Sequence, residues 1–331
     1  LASKDESKII FSTNVAESGI TLKDIKHVID CGRSYKSKFN PEEEMYELKM
    51  EFISKAEILQ RRGRTGRTSP GTCYHLYTEE EYKNFNDYKV AEILTEEISD
   101  ILLQLIGRGI DLSILDELPD PPTKHHREFG LKLLKSLGLI NNNQLTPLGL
   151  EINQIPLPPQ EALALLEGKK LGISNDISII LAAISIDPDL DKWFYKPSNK
   201  WTSSQGDIFI MRKIFKEFLD KKNQPEWCNK NGLIYSKLVA IKQQFFKLKN
   251  ITAEEREIDE SSLNEKIISA FTTAYPLNIA TADGNFYKID RPIGRIRINK
   301  SKYITRLSKK ILYLNITKIN GEVKVSSIIN M

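Results

Sequence analysis

Two short runs, "HVIDCG" (His27–Gly32) and "GTCYHLYT" (Gly71–Thr78), flank the stretch "SKAEILQRRGRTGR" (Ser54–Arg67). Both runs are rich in β-forming residues and bounded by Gly and Asp, which reads as strand. The stretch between them opens on Ser54 with Glu57 three residues on, the signature of a capped helix start. Strand, helix and strand in that order predict an α/β unit with a largely parallel sheet. "KIIFST" (Lys8–Thr13) is expected to add a further strand. In "FNPEEEMYELKMEFIS" (Phe39–Ser54), Met45, Leu48, Met50 and Phe52 sit among charges, and Asn40-Pro41 marks a turn. A protruding hairpin is expected there.

After Tyr82 the pattern turns helical, with Ile93, Ile98, Leu102, Leu105 and Ile106 at helical spacing. "LPDPPT" (Leu118–Thr123) breaks the chain, and "REFGLKLLKSLGLI" reads as a second helix. The triple Asn141-Asn142-Asn143 supplies a turn before "QLTPLGLEINQIPLPP". A helix, a turn and a short β-like return form the pattern of a winged-helix module. From Pro158 to about Lys249 dense Leu and Ile predict helices, and acidic "TAEEREIDESS" (Thr252–Ser262) predicts a solvated linker or loop. The last segments, "NFYKI", "RIRIN", "KILYLNITKI" and "GEVKVSSII", alternate with period two and suggest a small antiparallel barrel.

At 331 residues, 40% hydrophobic and 28% charged, the chain is long enough for two or more domains. A net charge of +4 says little about partners, so the distribution of charge matters more than its sum. From Phe286 to Lys310 there are nine Lys/Arg and one acidic residue, Asp290, with Phe286, Tyr287 and Tyr303 among them as base-stacking surfaces. The competing reading is a barrel kept soluble by surface lysines. Cys31, Cys73 and Cys228 are odd in number and far apart, which indicates neither a disulfide framework nor a zinc site and fits a reducing, intracellular compartment. No uncharged apolar run reaches membrane-spanning length. The chain begins without Met, directly upstream of a strand-like run, and reads as a piece of something longer.

"QRRGRTGR" (Gln60–Arg67) sets four arginines and two glycines in eight residues. It suits either a solvated basic turn or a site where guanidinium groups converge on terminal phosphates. Phosphoryl transfer is catalysed mostly by positioning and by electrostatic stabilisation of charge on the γ-phosphate. Arginine fits that task, because its planar fork stays charged and grips phosphate with two parallel bonds. If the helix continues through the motif, Gln60, Arg64 and Arg67 fall at i, i+4 and i+7 on one face. Gly63 and Gly66 then allow close approach, and Arg61 and Arg62 point elsewhere, toward nucleic acid or acidic protein surface.

"IIFSTNVAESGITL" (Ile9–Leu22), followed about forty residues later by "QRRGRTGRTSPGTCYHLY", resembles motifs V and VI of the DEAH-box (DEAH/RHA) branch of superfamily 2 helicases. "VIDCGRS", "ISKAEILQR", "LPDPPT", "LGLINNNQLTPLGLEINQIPL" and "GDIFIMRKIF...EWCNKNGL" also resemble that family, in the family's order. The resemblance implies a multidomain α+β chain: the C-terminal part of a second RecA-like domain (1–85), a winged helix (86–157), a ratchet-like helical bundle (158–262) and an OB-like β-barrel (263–331). It implies an ATP-dependent helicase that translocates on RNA 3′ to 5′. Arg64 is then the arginine finger and Arg67 a second γ-phosphate contact. Gln60 and Gly63 approach the nucleotide. The hairpin is a wedge or strand guide, unless its apolar residues pack against the helical bundle.

Thr13, Asn14, Ser18 and Thr21 are the implied nucleic-acid contacts of the first motif, since short polar side chains hold a sugar-phosphate backbone without reading bases. The competing reading for any one of them is a helix cap or turn former. Arg295 and Arg297 are the nucleic-acid contacts in the basic tail. Many members of the family carry Asp two residues after the motif's last Thr, at the ribose. Here that position is Lys23, so the contact passes to Asp24 or is absent. Gly19 stands where Ser is common.

ATP with Mg²⁺ is the implied cofactor, yet the chain contains no Gly-Lys-Ser/Thr phosphate loop and no Asp-Glu-x-His motif. None of its residues is assigned to the metal. The first RecA-like domain and the opening strands of the second are expected to lie elsewhere, and these residues alone are expected to hydrolyse no ATP. The implied partners are RNA, single-stranded or partly duplex, with DNA as the alternative, the N-terminal RecA-like domain and an activating protein, with no membrane. The compartment is cytoplasm or nucleus, or a virion if the source is viral. A second class of function stays open: a non-catalytic nucleic-acid-binding or scaffold protein that kept this region without a motor.

Overall fold

The computed structural model describes residues 8–18, 24–66, 69–251 and 260–331. The chain divides into two units, residues 1–38 with 47–95, and residues 39–46 with 96–331.

In the first unit a short helix α1 (Val15–Ser18) precedes strand β1 (His27–Asp30). A hairpin follows, β2 (Arg33–Asn40) and β3 (Met45–Phe52), then helix α2 (Lys55–Arg62), strand β4 (Thr72–His75) and helix α3 (Glu79–Lys83). β1 and β4 pair in parallel, His27 opposite Thr72 through Asp30 opposite His75. The strand–helix–strand reading therefore holds. "KIIFST" does not form the expected strand: Lys8–Thr13 have no regular structure, and Phe11 is 94% exposed. A strand exists only where a neighbour completes its ladder, and none lies beside this run among the described residues. Ile53, Ile58 and Phe85 form the local core, with Tyr77 and Tyr82 packed against it.

The hairpin turns where the sequence predicts. Asn40 Oδ1 accepts the amides of Glu42 and Glu43 at 3.0 and 3.2 Å, an Asx turn that leads into Pro41. Its tip, Phe39–Tyr46, belongs to the second unit. There Met45 is buried among Ala280, Ile289, Ile296, Ile304 and Ile311, in the core of a β-sheet rather than of the helical bundle. Phe39 packs on Phe129 with ring centroids 4.9 Å apart. Glu43 and Glu44 pair with Lys318 and Lys132, each at 2.7 Å. The tip is anchored by both its apolar and its charged residues.

The rest of the second unit opens with α4 (Ser99–Gly107) and α5 (Lys124–Ser136), then the hairpin β5 (Ile140–Asn141) and β6 (Gln144–Leu145), and α6 (Pro147–Ile152). Asn142 and Asn143 both take positive φ, 47° and 58°, as a two-residue hairpin turn requires. Helices α7 (Pro159–Lys170), α8 (Ser174–Ile186), α9 (Asp207–Leu219), α10 (Gln224–Lys230), α11 (Tyr235–Lys249) and α12 (Glu260–Ala274) follow. α8 is buried continuously from Ile177 to Ala183, which makes it the centre of the helical layer. Residues 252–259 of the expected acidic loop lie outside the described residues, and Glu260–Ser262 begin α12.

The chain closes with β7 (Ile279–Asp283), β8 (Phe286–Ile289), β9 (Arg295–Ile296), β10 (Lys310–Ile319) and β11 (Glu322–Asn330). They form an antiparallel sheet in which β10 pairs along its length with β11, at its start with β7, and also with β3. Among the described residues no helix is long and apolar enough to cross a membrane.

One carboxylate in this unit gives a pH signature. Glu97 is half-buried, and the desolvation of its carboxyl pushes the pKa up to about 7 even though it accepts the Ser99 hydroxyl and amide, both at 2.6 Å. A carboxyl raised in the fold binds its proton more tightly there than in the unfolded chain. Its contribution is therefore greatest at acid pH and is lost as pH rises from about 4.5 toward 7. Glu97→Gln should flatten that fall, by on the order of 2–3 kcal/mol between pH 5 and 8 at 1.36 kcal/mol per pKa unit. Urea midpoints at the two pH values measure it, and parallel pH dependences for both proteins would refute the assignment.

Candidate functional site

α2 carries the arginine-rich motif, and its start is fixed locally. Ser54 Oγ accepts the Glu57 amide at 3.2 Å, and the Glu57 carboxylate accepts the Ser54 amide at 2.8 Å. Burial pushes the Glu57 pKa up, but the Ser54 hydrogen bonds and the Lys36 ammonium outweigh it and hold the carboxyl below its usual range.

The other end departs from expectation. α2 stops at Arg62, so Gln60, Arg64 and Arg67 do not share one face of a continuous helix. The Gly63 amide still donates to Leu59, while the Arg64 and Thr65 amides donate three residues back, to Arg61 and Arg62 at 3.0 and 3.2 Å. Gly66 then takes φ +78°, where a side chain would be strained, and no atom lies within 4 Å of where its Cβ would stand. Such a left-handed residue ends a helix at low cost only as glycine. Thr65 Oγ1 donates to the Lys26 carbonyl at 3.2 Å, which fastens the turn to the residue before β1. Arg64 thus sits half-buried in a pinned turn with open space beside the following glycine, and Gln60 and Gly63 lie exposed next to it. Arg67 lies outside the described residues.

In the first motif, Thr13 and Asn14 are exposed at the start of α1. Their carbonyls accept the Ala16 and Glu17 amides at 3.2 and 2.9 Å, and Thr13 Oγ1 accepts the Val15 amide at 3.5 Å. Both residues therefore form the helix start while their side chains face outward. Ser18 ends α1, and its side chain, like the whole of Thr21, lies outside the described residues. Asp24 is exposed with φ +62° in the approach to β1.

Sequence reasoning placed Arg61 away from the site, facing nucleic acid or an acidic surface. The structure resolves this toward acid. Its Nε donates to Glu17 Oε2 at 3.1 Å, and Nη1 donates to Asp30 Oδ1 at 2.9 Å. Both carboxylates are almost fully buried. Burial pulls the guanidinium pKa down, but the hydrogen bonds from Asp30 and Glu17 outweigh it and leave a net upward shift. Lys89 adds a second cation on Glu17 at 3.4 Å. Glu17 and Asp30 were not singled out from the sequence. The signal available was an acid ending an apolar strand and another in an otherwise small and polar motif.

In the second unit, Arg295 is exposed and turned onto Asp283, its Nε donating at 2.8 Å, while Arg297 is exposed. Phe286 is exposed. Tyr287 is half-buried and donates to the Ser308 carbonyl at 2.7 Å. Tyr303 is buried against Phe194, ring centroids 4.6 Å apart, so it is a core residue and not an open stacking surface. Among the described residues no three His, Cys, Asp or Glu side chains converge to hold a metal ion.

Residues 2–69 match the family described as "Helicase conserved C-terminal domain". The chain is 33% identical over 262 residues to "ATP-dependent RNA helicase DHX33" of Drosophila melanogaster, covering 76% of this chain and 37% of that protein. It is 30% identical over 264 residues to the mouse protein of the same name, again covering 76% and 37%. The chain thus spans little more than a third of these relatives. The crystal structure of the E. coli DExH-box NTPase HrpB superposes with a TM-score of 0.64 at 21% identity, over 96% of this chain and 35% of that one. That likeness shows a shared fold, mixed α/β with a parallel sheet and helical regions.

Proposed function

Because this chain belongs to the DEAH-box branch of the superfamily 2 helicases, matching their C-terminal part, we propose that it is the C-terminal portion of an ATP-dependent RNA helicase. The observation that carries this reading is the turn after α2. A half-buried guanidinium stands there between exposed Gly63 and a left-handed Gly66 with open space beside it. That donor set suits a polyphosphate, which accepts bidentate bonds from a fixed arginine. Hydrolysis would transfer the γ-phosphoryl group of ATP to water with ADP as the leaving group, and charge would develop across the γ-phosphate and leaving oxygens. Arg64 holds that charge and Arg67 adds a second contact. Gln60 and Gly63 line the nucleotide, and Asp24 stands in for the missing acid at the ribose. The magnesium ligands and the phosphate loop are assigned to a RecA-like domain outside these 331 residues.

Residues 1–85 then complete a RecA-like domain. Residues 86–157, with α4 to α6 and the Asn142–Asn143 hairpin, form a winged helix. Residues 158–262 form a ratchet-like bundle and residues 263–331 an OB-like barrel. Thr13, Asn14, Ser18 and Thr21 hold the nucleic-acid backbone, and Arg295 and Arg297 add charge in the barrel. Phosphate contacts serve RNA and DNA alike, so RNA rests on the relatives' names.

The test compares this chain alone with the same chain joined to its phosphate-loop domain. The chain alone should bind single-stranded RNA and turn over no ATP, and the joined protein should show RNA-stimulated turnover. Arg297→Glu combined with Arg295→Glu should weaken binding and lower the salt slope by about 1–2, given roughly 0.7 per phosphate contact on single strands. Arg297 should carry more of the effect, since Arg295 is already paired with Asp283. Turnover by the chain alone would contradict the division of labour. RNA binding with no turnover in the joined protein would favour the non-catalytic scaffold.

A further inference from the structure

We propose that Arg61 is a positioning residue that ties the nucleic-acid loop to the arginine-finger turn through Glu17; this rests on the functional reading above. The path is short and continuous. The Glu17 amide donates to the Asn14 carbonyl at 2.9 Å, Arg61 Nε donates to the Glu17 carboxylate at 3.1 Å, and the Arg64 amide donates to the Arg61 carbonyl at 3.0 Å. Three hydrogen bonds thus connect a residue facing nucleic acid with one facing nucleotide.

The link matters because little else among the described residues holds α1. A four-residue helix cannot persist by itself, and Val15 on it is 58% exposed. Its orientation therefore depends on the buried Glu17 carboxylate and the cations around it, Arg61 and Lys89. A ligand that shifts Asn14 must carry Glu17 with it and either move Arg61 or break a buried pair. Breaking one is costly, because it leaves a buried charge without its partner.

Arg61 also has somewhere to move. Asp30 Oδ1 takes both Arg61 and the Gly32 amide, at 2.9 and 3.0 Å, while buried Oδ2 has no hydrogen-bond partner among the described residues. An orphaned buried acceptor beside a guanidinium offers a second docking position for it. Coupling between two sites needs an element with two arrangements, and the Asp30 carboxylate supplies both acceptors.

The experiment uses this chain and a fluorescein-labelled oligo(U) 12-mer, with hydrogen exchange read across Gln60–Gly66. Oligonucleotide should slow exchange at the Arg64 and Thr65 amides about fivefold in the wild type, the low end of ordinary site–site coupling. Glu17→Gln keeps the side chain's shape but not its charge and, with oligonucleotide at saturation, should lose that protection. Lys89→Ala removes the other cation on Glu17 and should keep it, which a merely structural role for Glu17 does not anticipate. If Glu17→Gln lowers the melting temperature too far, Arg61→Lys serves instead; it keeps a cation but not the fork, and should also lose protection. Full protection in the folded variant overturns the coupling while the RNA-binding reading stands. No binding of oligo(U) by the wild type overturns the reading itself, and the coupling with it.

Discussion

Arg64→Ala should, on the function proposed for this turn, lower ATP turnover at least about a thousandfold in the chain joined to a phosphate-loop domain, as removal of an arginine finger does. RNA affinity should stay nearly unchanged. The expectation follows from how the turn is built. Arg64 and Thr65 hang from the last carbonyls of α2, and Thr65 is fastened to Lys26, so the backbone that carries the guanidinium is fixed before any ligand arrives. Preorganised charge is worth most where reaction charge develops, because no reorganisation is needed at that moment. Arg64→Lys should recover little, since a point charge on a flexible stem cannot grip two oxygens at once. Steady-state hydrolysis with and without RNA, beside oligonucleotide binding, decides it. Turnover equal to the wild type would remove Arg64 from catalysis.

Gly206→Ala should be among the most destructive single methyls in the second unit. Gly206 precedes α9 with φ +135°, and an added Cβ would stand 2.1 Å from the Ile328 carbonyl oxygen. The neighbouring contacts leave no room to retreat. Asp207 accepts the Ile328 amide at 3.2 Å and the Ser301 hydroxyl, the Asn330 amide donates to Gln205 at 2.8 Å, and Gly206 itself bridges Ile329. Forcing α9 off β11 would break these bonds around a carboxylate whose pKa burial already pushes up to about 6. A loss above about 4 kcal/mol is expected, the range reserved for backbone strain and broken buried networks. Thermal melting and soluble yield measure it, and a melting temperature within a few degrees of wild type would show the contact to be soft.

What could be read from the residues themselves was local. The Ser54–Glu57 box sets the start of α2, the paired asparagines set the β5–β6 turn, and Asn40-Pro41 sets the hairpin. Each is a contact among neighbours a few residues apart, so the chain carries the whole instruction in one place. The β1–α2–β4 order likewise forecast the parallel pair, and the two motifs forecast the family.

Long-range partners decided the rest. Whether α2 runs through Arg67 depends on Gly66 turning left-handed and on Thr65 reaching Lys26, a residue 39 positions earlier. "KIIFST" has strand-forming residues but no ladder beside it among the described residues, so propensity had nothing to act on. Met45 and Tyr303 look like surface aromatic or apolar residues among charges, yet both are core, because their covering layers come from residues far off in the chain. Arg61 is the sharpest case. Nothing in "QRRGRTGR" distinguishes it from Arg62, and only the fold places two buried carboxylates, from positions 17 and 30, around one of them. Sequence determines which groups are charged; the free energy of burying a charge depends on what tertiary structure sets beside it.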